Sequence, residues 1–132
     1  MQMAGNHLTS PRAADRLTGA FADCATLGAR LSVSDEALCP RFHVDRTVLR
    51  AVCTYAGPRT QILPHSAASR HGPSTGAAEW NDIEASQIAQ AGIGDVVFLK
   101  GQCWPGSSGW GAVHRSPPVS GVRRVVITLE AL

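Results

Sequence analysis

A chain of 132 residues with 44% hydrophobic and 17% charged residues makes one globular domain with room for a single modest core. Its net charge of +2 comes from arginines scattered singly, with Arg123-Arg124 the one adjacent pair, so no basic stripe marks a nucleic-acid-binding surface. No segment is long and apolar enough to span a bilayer, and Met1 to His7 lacks the apolar run of a secretory signal, so a cytoplasmic location is expected.

Residues 1–9 read as a disordered N-terminus, and 10–132 as one domain. Ser10-Pro11 is an N-cap and first-turn pair, after which Ala13, Leu17, Ala20, Phe21, Cys24, Leu27 and Leu31 recur at helical spacing. The spacing predicts a helix over about 11–28, its apolar stripe docked on a sheet. From Ala29 the period becomes two, with Leu31 and Val33 alternating with Ser32 and Ser34 up to Asp35-Glu36. Thr47 to Tyr55 is rich in β-branched residues and stops at Gly57-Pro58, and Thr60 to Leu63 suits a further short strand.

Pro64 to Ala78 has no period, and a mobile loop is expected over about 64–78. Gln87 to Ala89 can pair briefly before the Gly92-Ile93-Gly94 turn. Asp95 to Lys100 reads as a buried strand, and Gly101 to Gly109 as a Gly/Ser/Pro turn. Trp110 to Arg115 and Arg123 to Leu129 form the last strands. Short strands with Gly/Pro turns after one helix predict a mainly β domain, an antiparallel sandwich or roll over about 29–130.

The chemistry concentrates in Cys39-Pro-Arg-Phe-His43-Val-Asp45 and in Val113-His114-Arg115-Ser116-Pro117. His43 and Asp45, at i and i+2, lie on one face of an extended chain. With His114 they make a two-His-one-carboxylate set, the ligand pattern that holds Fe(II) and leaves open coordination positions. Zinc, nickel or manganese would also bind such a set. Ten residues after His114, Arg124 offers a planar fork to a carboxylate or another anion. Arg124, Val126 and Thr128 share one strand face, whereas Arg123 falls with Val125, Ile127 and Leu129. If that apolar trio packs under the helix, Arg124 points into the mouth of the barrel.

From about Leu31 to Leu129 the chain resembles the bacterial family known as domain of unknown function 1826. The resemblance rests on 39–45, on Leu-Arg-Ala-Val-Cys-Thr-Tyr-Ala-Gly-Pro (49–58), on Gly-Asp-Val-Val-Phe-Leu-Lys-Gly (94–101), on Val-His-Arg-Ser-Pro (113–117) and on Arg-Val-Val-Ile-Thr-Leu-Glu (124–130). The same blocks resemble the prolyl-hydroxylase branch of the 2-oxoglutarate and Fe(II) oxygenases. That resemblance implies a double-stranded β-helix, a cupin-like jelly roll. It also implies that His43, Asp45 and His114 bind iron, and that Arg124 and Tyr55 hold the far carboxylate of 2-oxoglutarate. The chain departs from the pattern at Arg59-Thr-Gln61-Ile-Leu-Pro64, where relatives carry an acidic and an aromatic residue, and it is short at its N-terminus. The first departure bears on the substrate side of the pocket more than on the metal side, the second implies that covering helices are missing, and the substrate itself is left open.

Other readings stand beside this one. Arg124 could pair with Asp95 or Glu130 instead of a co-substrate, Tyr55 could be a core-edge tyrosine, and Arg115 suits a structural pairing. Arg50 could face the mouth or solvent. The four cysteines form no C-x-x-C pair and are expected to be free thiols. Cys39 or Cys103 as a fourth, thiolate ligand would favour zinc and a non-catalytic storage or sensing protein. His65 and His71 could be accessory ligands or solvated loop residues. An inactive structural remnant is a third possibility, and the open edges of a small barrel would allow a homodimer.

Overall fold

The structure, a computed structural model, describes residues 2–4, 23–24, 26–68, 80 and 82–131. It is mainly β. Eight strands are described: β1 (Gln2–Ala4), β2 (Leu27–Ser34), β3 (Leu49–Ala56), β4 (Gln61–Leu63), β5 (Ala89–Gln90), β6 (Val96–Lys100), β7 (Val113–Arg115) and β8 (Arg124–Ala131). They form a five-stranded sheet, β1-β6-β3-β8-β2, and a three-stranded sheet, β5-β4-β7. All pairings are antiparallel except β1 against β6.

The larger sheet follows directly from the β-branched runs. β3 is central and buried over Ala51 to Thr54, with β6 and β8 on its two sides. β8 pairs with β2 along eight residues, from Leu27 opposite Ala131 to Ser34 opposite Arg124. One face carries Arg50, Val52, Val97, Leu99, Arg124, Val126 and Thr128. Val52, Val97, Leu99 and Val126 pack against Ile62 of β4 and Ala112 before β7, which brings the two sheets together. The far side of the smaller sheet is covered by a second cluster, where Leu63 and Val113 meet Phe42, Val44 and the fully buried Trp80. The Trp80 indole N–H donates to the Ala68 carbonyl at 3.2 Å, so this large ring is buried without an unpaired donor.

Three boundaries differ from expectation. Leu27 and Gly28 lie in β2, not at the end of a helix, because pairing with β8 satisfies their backbone along the whole strand. Of the rest of that helix, residues 23, 24 and 26 are described and are not helical; 11–22 and 25 lie outside the described residues, so the packing of Val125, Ile127 and Leu129 beneath a helix does too. The disordered stretch expected over 1–9 is interrupted by β1, which pairs with the open edge of β6. The loop expected over 64–78 begins with a helical turn, α1 (His65–Ala68), in which the Ala67 and Ala68 N–H groups both donate to the Pro64 carbonyl. Residues 69–79 lie outside the described residues. β2 is an edge strand with Leu31 and Val33 exposed.

Two glycines allow close backbone approaches that position the site. Gly57 ends β3 at φ +82°, and a Cβ there would sit 2.1 Å from the Arg123 carbonyl oxygen, beside Arg124. Gly101 passes equally near Thr47, and the loop it begins binds back to the Asp45 segment, with the Gln102 N–H donating to the Asp45 carbonyl at 2.9 Å. Gly57→Ala combines an unfavourable φ with a backbone clash, so it should cost about 2 kcal/mol or more of unfolding free energy. Urea denaturation reads this directly.

Candidate metal centre

His43 and His114 stand opposite each other across an isolated antiparallel bridge, exchanging both N–H···O bonds at 3.0 Å. Directly opposed residues project to the same face, and the two imidazole centroids lie 4.6 Å apart. Asp45, two residues beyond His43, comes to the same point. Its Oδ1 is 3.4 Å from His43 Nε2, and its Oδ2 is 3.4 Å from His114 Nε2. One ligand-type atom from each residue lies within 4.8 Å of the others. Two ligands each about 2.1 Å from one ion stand about 3.0–3.4 Å apart at octahedral or tetrahedral angles, so the His–Asp separations suit a shared cation.

The rings are held in one tautomer. His43 Nδ1 is 2.9 Å from the Arg41 carbonyl, and His114 Nδ1 is 2.9 Å from the Ala112 carbonyl. A carbonyl only accepts, so in each neutral ring Nδ1 carries the hydrogen and Nε2 turns a lone pair toward Asp45. Backbone bonds of this kind orient metal-binding histidines. Asp45 Oδ2 is buried without a hydrogen-bond partner. Arg50 Nη1 lies 2.8 Å from it as an ion pair, but that contact lacks hydrogen-bond alignment and leaves acceptor capacity for a cation. The donor set, with the acceptor capacity left on Asp45, fits a divalent metal.

The electrostatics separate the three groups. Burial pushes His114 down to about 4, against the attraction of Asp45. His43, more exposed, is raised by its hydrogen bond to Asp45 despite partial burial. Burial pushes Asp45 upward, but the His43 hydrogen bond and the charges of His114 and Arg50 outweigh it and hold the carboxyl below its ordinary value. The pH dependence of the metal-free fold follows. Between about 4 and 6.5 the unfolded chain protonates His114 and the folded chain does not, so stability falls as pH drops through that window. The slope attributable to this proton is up to about 1.4 kcal/mol per pH unit. His43 works the other way, contributing stability below 6.5 that is lost as pH rises through its folded value. In His114→Gln the acid-side slope should flatten, as thermal melts across this range would show.

The histidines line a cavity of about 390 Å³ shared with Arg50, Thr60, Arg124 and Val126. Arg124 is 8% exposed and donates to three hydroxyls: Thr60 Oγ1 at 2.7 Å, Ser116 Oγ at 2.9 Å and Thr54 Oγ1 at 3.4 Å. Neither Asp95 nor Glu130 is its partner. Asp95 accepts from the Gly92 N–H, and Glu130 pairs with Arg50. Burial draws Arg124 below its ordinary value, and its Nε is buried without a partner. A guanidinium in this setting has unmet capacity for an anion.

The remaining expected residues are placed as follows. Tyr55 is not brought to the cavity: the β3–β8 register skips it between Thr54 and Ala56, and it is 56% exposed. Arg115 lines the cavity but is committed elsewhere, donating to Gln61 Oε1 at 2.7 Å with its guanidinium 4.2 Å over the Phe42 ring. Cys39 is an exposed free thiol on the cavity wall, and Cys103 is exposed outside it; neither belongs to the ligand cluster. His65 stands edge-on to Trp110, outside the cavity, and His71 lies outside the described residues. Glu130 was considered from the sequence only as a partner for Arg124, and the hydroxyls of Thr54, Thr60 and Ser116 were not singled out. Strand alternation carries a signal for two of them, since Glu130 is in phase with Arg124 and Thr54 with Arg50.

Two facing sheets that gather two imidazoles and a carboxylate at one point define a mainly β protein with a candidate metal centre. The chain belongs to the family described as protein of unknown function DUF1826, whose model it matches over residues 13–130. No curated protein and no solved structure matches it. Among the described residues, no helix is long and apolar enough to cross a membrane.

Proposed function

We propose that this chain is a metal-dependent protein of the Fe(II)/2-oxoglutarate oxygenase type, its two sheets forming a cupin-like double-stranded β-helix. The observation that carries the reading is the convergence of His43 Nε2, His114 Nε2 and the Asp45 carboxylate, with both rings fixed so that their lone pairs face it. Iron held there supplies redox chemistry and open coordination positions. The chain's own residues supply the rest. Arg124, steadied by Thr54, Thr60 and Ser116, would bind the far carboxylate of 2-oxoglutarate. Val52 and Val126 on the cavity wall keep part of it apolar and limit water.

Storage or sensing of zinc through a thiolate has less support, because neither Cys39 nor Cys103 stands in the ligand cluster. The four free thiols suit the reducing cytoplasm that we propose as the location. An anaerobic Fe(II) titration of metal-free protein, followed by 2-oxoglutarate, tests the proposal. Saturable metal binding and a visible charge-transfer band on adding the oxo acid are expected. Metal binding without a band would reduce the protein to a metal binder, and no binding would end the reading.

A further inference from the structure

The proposed ligands leave one charged pair of the cavity unused. Arg50, on β3, stands directly opposite Glu130, on β8, and its guanidinium touches two carboxylates at once. Nη1 is 2.8 Å from Asp45 Oδ2, and Nη2 donates to Glu130 Oε1. Both residues line the cavity, each partly exposed, whereas Asp45 is buried. Asp45 Oδ2 is thus shared between His114 Nε2 and a guanidinium, while Oδ1 meets His43 Nε2. In the metal-free protein Arg50 spares the fold an uncompensated buried carboxylate. The same positive charge opposes any cation that enters between the histidines and Asp45.

We propose that Arg50 and Glu130 form a counter-charge pair that sets the metal affinity of Asp45. Arg50 competes with the incoming cation for Asp45, and Glu130 takes up the guanidinium as the cation enters. Because Arg50 already touches Glu130, that exchange needs no expulsion of the side chain into solvent. Arg50 is therefore a positioning residue that acts through Asp45. This inference rests on the metal-centre reading above.

Calorimetric titration of the full chain with Co(II) tests it, comparing wild type with Arg50→Gln, Arg50→Lys and Glu130→Gln. Changes to groups around a ligand shift metal affinity by about 10- to 100-fold, so Arg50→Gln should bind roughly tenfold tighter and Glu130→Gln roughly tenfold weaker. Arg50→Lys keeps the charge but loses the fork that spans both carboxylates, so its affinity should fall between those of wild type and Arg50→Gln. A purely supporting role for Arg50 predicts the opposite sign, and weaker or unchanged binding by Arg50→Gln would overturn the proposal. Should that variant not fold, Glu130→Gln decides: binding equal to or tighter than wild type refutes the pair. Wild type that takes up no Co(II) would sink the metal centre and the pair together. Wild type that binds, with no split in sign between the variants, would sink the pair alone.

Discussion

His114→Ala should lose divalent-metal binding, with affinity falling by more than about 100-fold, the upper range for altering a group that merely supports a ligand. His114 is the most committed of the three residues: buried, bridged to His43 through both backbone bonds, and fixed in one tautomer by Ala112. Its loss removes a ligand without removing a charge. Asp45→Asn should have a similar effect on binding for a different reason, since it keeps the shape of the side chain and takes away the one negative ligand. It also leaves Arg50 with Glu130 as its one acidic partner. Wild type at a free metal concentration 100 times its Kd should gain about 2.7 kcal/mol of stability, and both variants should gain almost none. Thermal melts with and without Mn(II) report this without any assay of activity. Variants stabilised as much as wild type would show that the metal sits elsewhere.

The extent to which the site was legible in the sequence follows from which contacts are local. His43 and Asp45 share a face by strand alternation, and alternation likewise separates Arg124 from Arg123: Arg124 is buried in the cavity and Arg123 is exposed. The pairing of His43 with His114 is not local. Nothing in either segment specifies the bridge, and the resemblance to oxygenase blocks suggested it. Arg50 was left undecided for the same reason, because its two partners lie on another strand and in the loop before β3. Tyr55 was expected in the cavity only from the resemblance; alternation sets it out of phase with Arg50, Val52 and Thr54, and the structure leaves it exposed outside the cavity. The end of the expected helix failed by competition: Leu27 fits a helical stripe, but the long partner strand β8 recruits it into the sheet. Propensity sets a weak preference that eight backbone pairings override.

Arg124→Met should abolish the 2-oxoglutarate-dependent band while leaving Fe(II) affinity near that of wild type. The two effects separate because Arg124 has no contact with the ligand set. Its partners are the hydroxyls of Thr54, Thr60 and Ser116. The cost to the fold should be small. A buried cation whose described partners are all neutral recovers only part of its desolvation penalty, so replacing it with an apolar side chain of similar length should change stability by less than about 2 kcal/mol. Arg124→Lys should keep the charge and lose the planar fork, weakening the oxo acid without eliminating it. Thr60→Val, which deletes the 2.7 Å hydroxyl contact, should fall between wild type and Arg124→Lys. This order across the series distinguishes an anion anchor from a structural arginine: a structural role would reduce stability in the same order as binding, whereas an anchor loses binding with the fold intact. If Arg124→Met retains the band, the anion site of this cavity is not Arg124, and the oxygenase reading loses its second support.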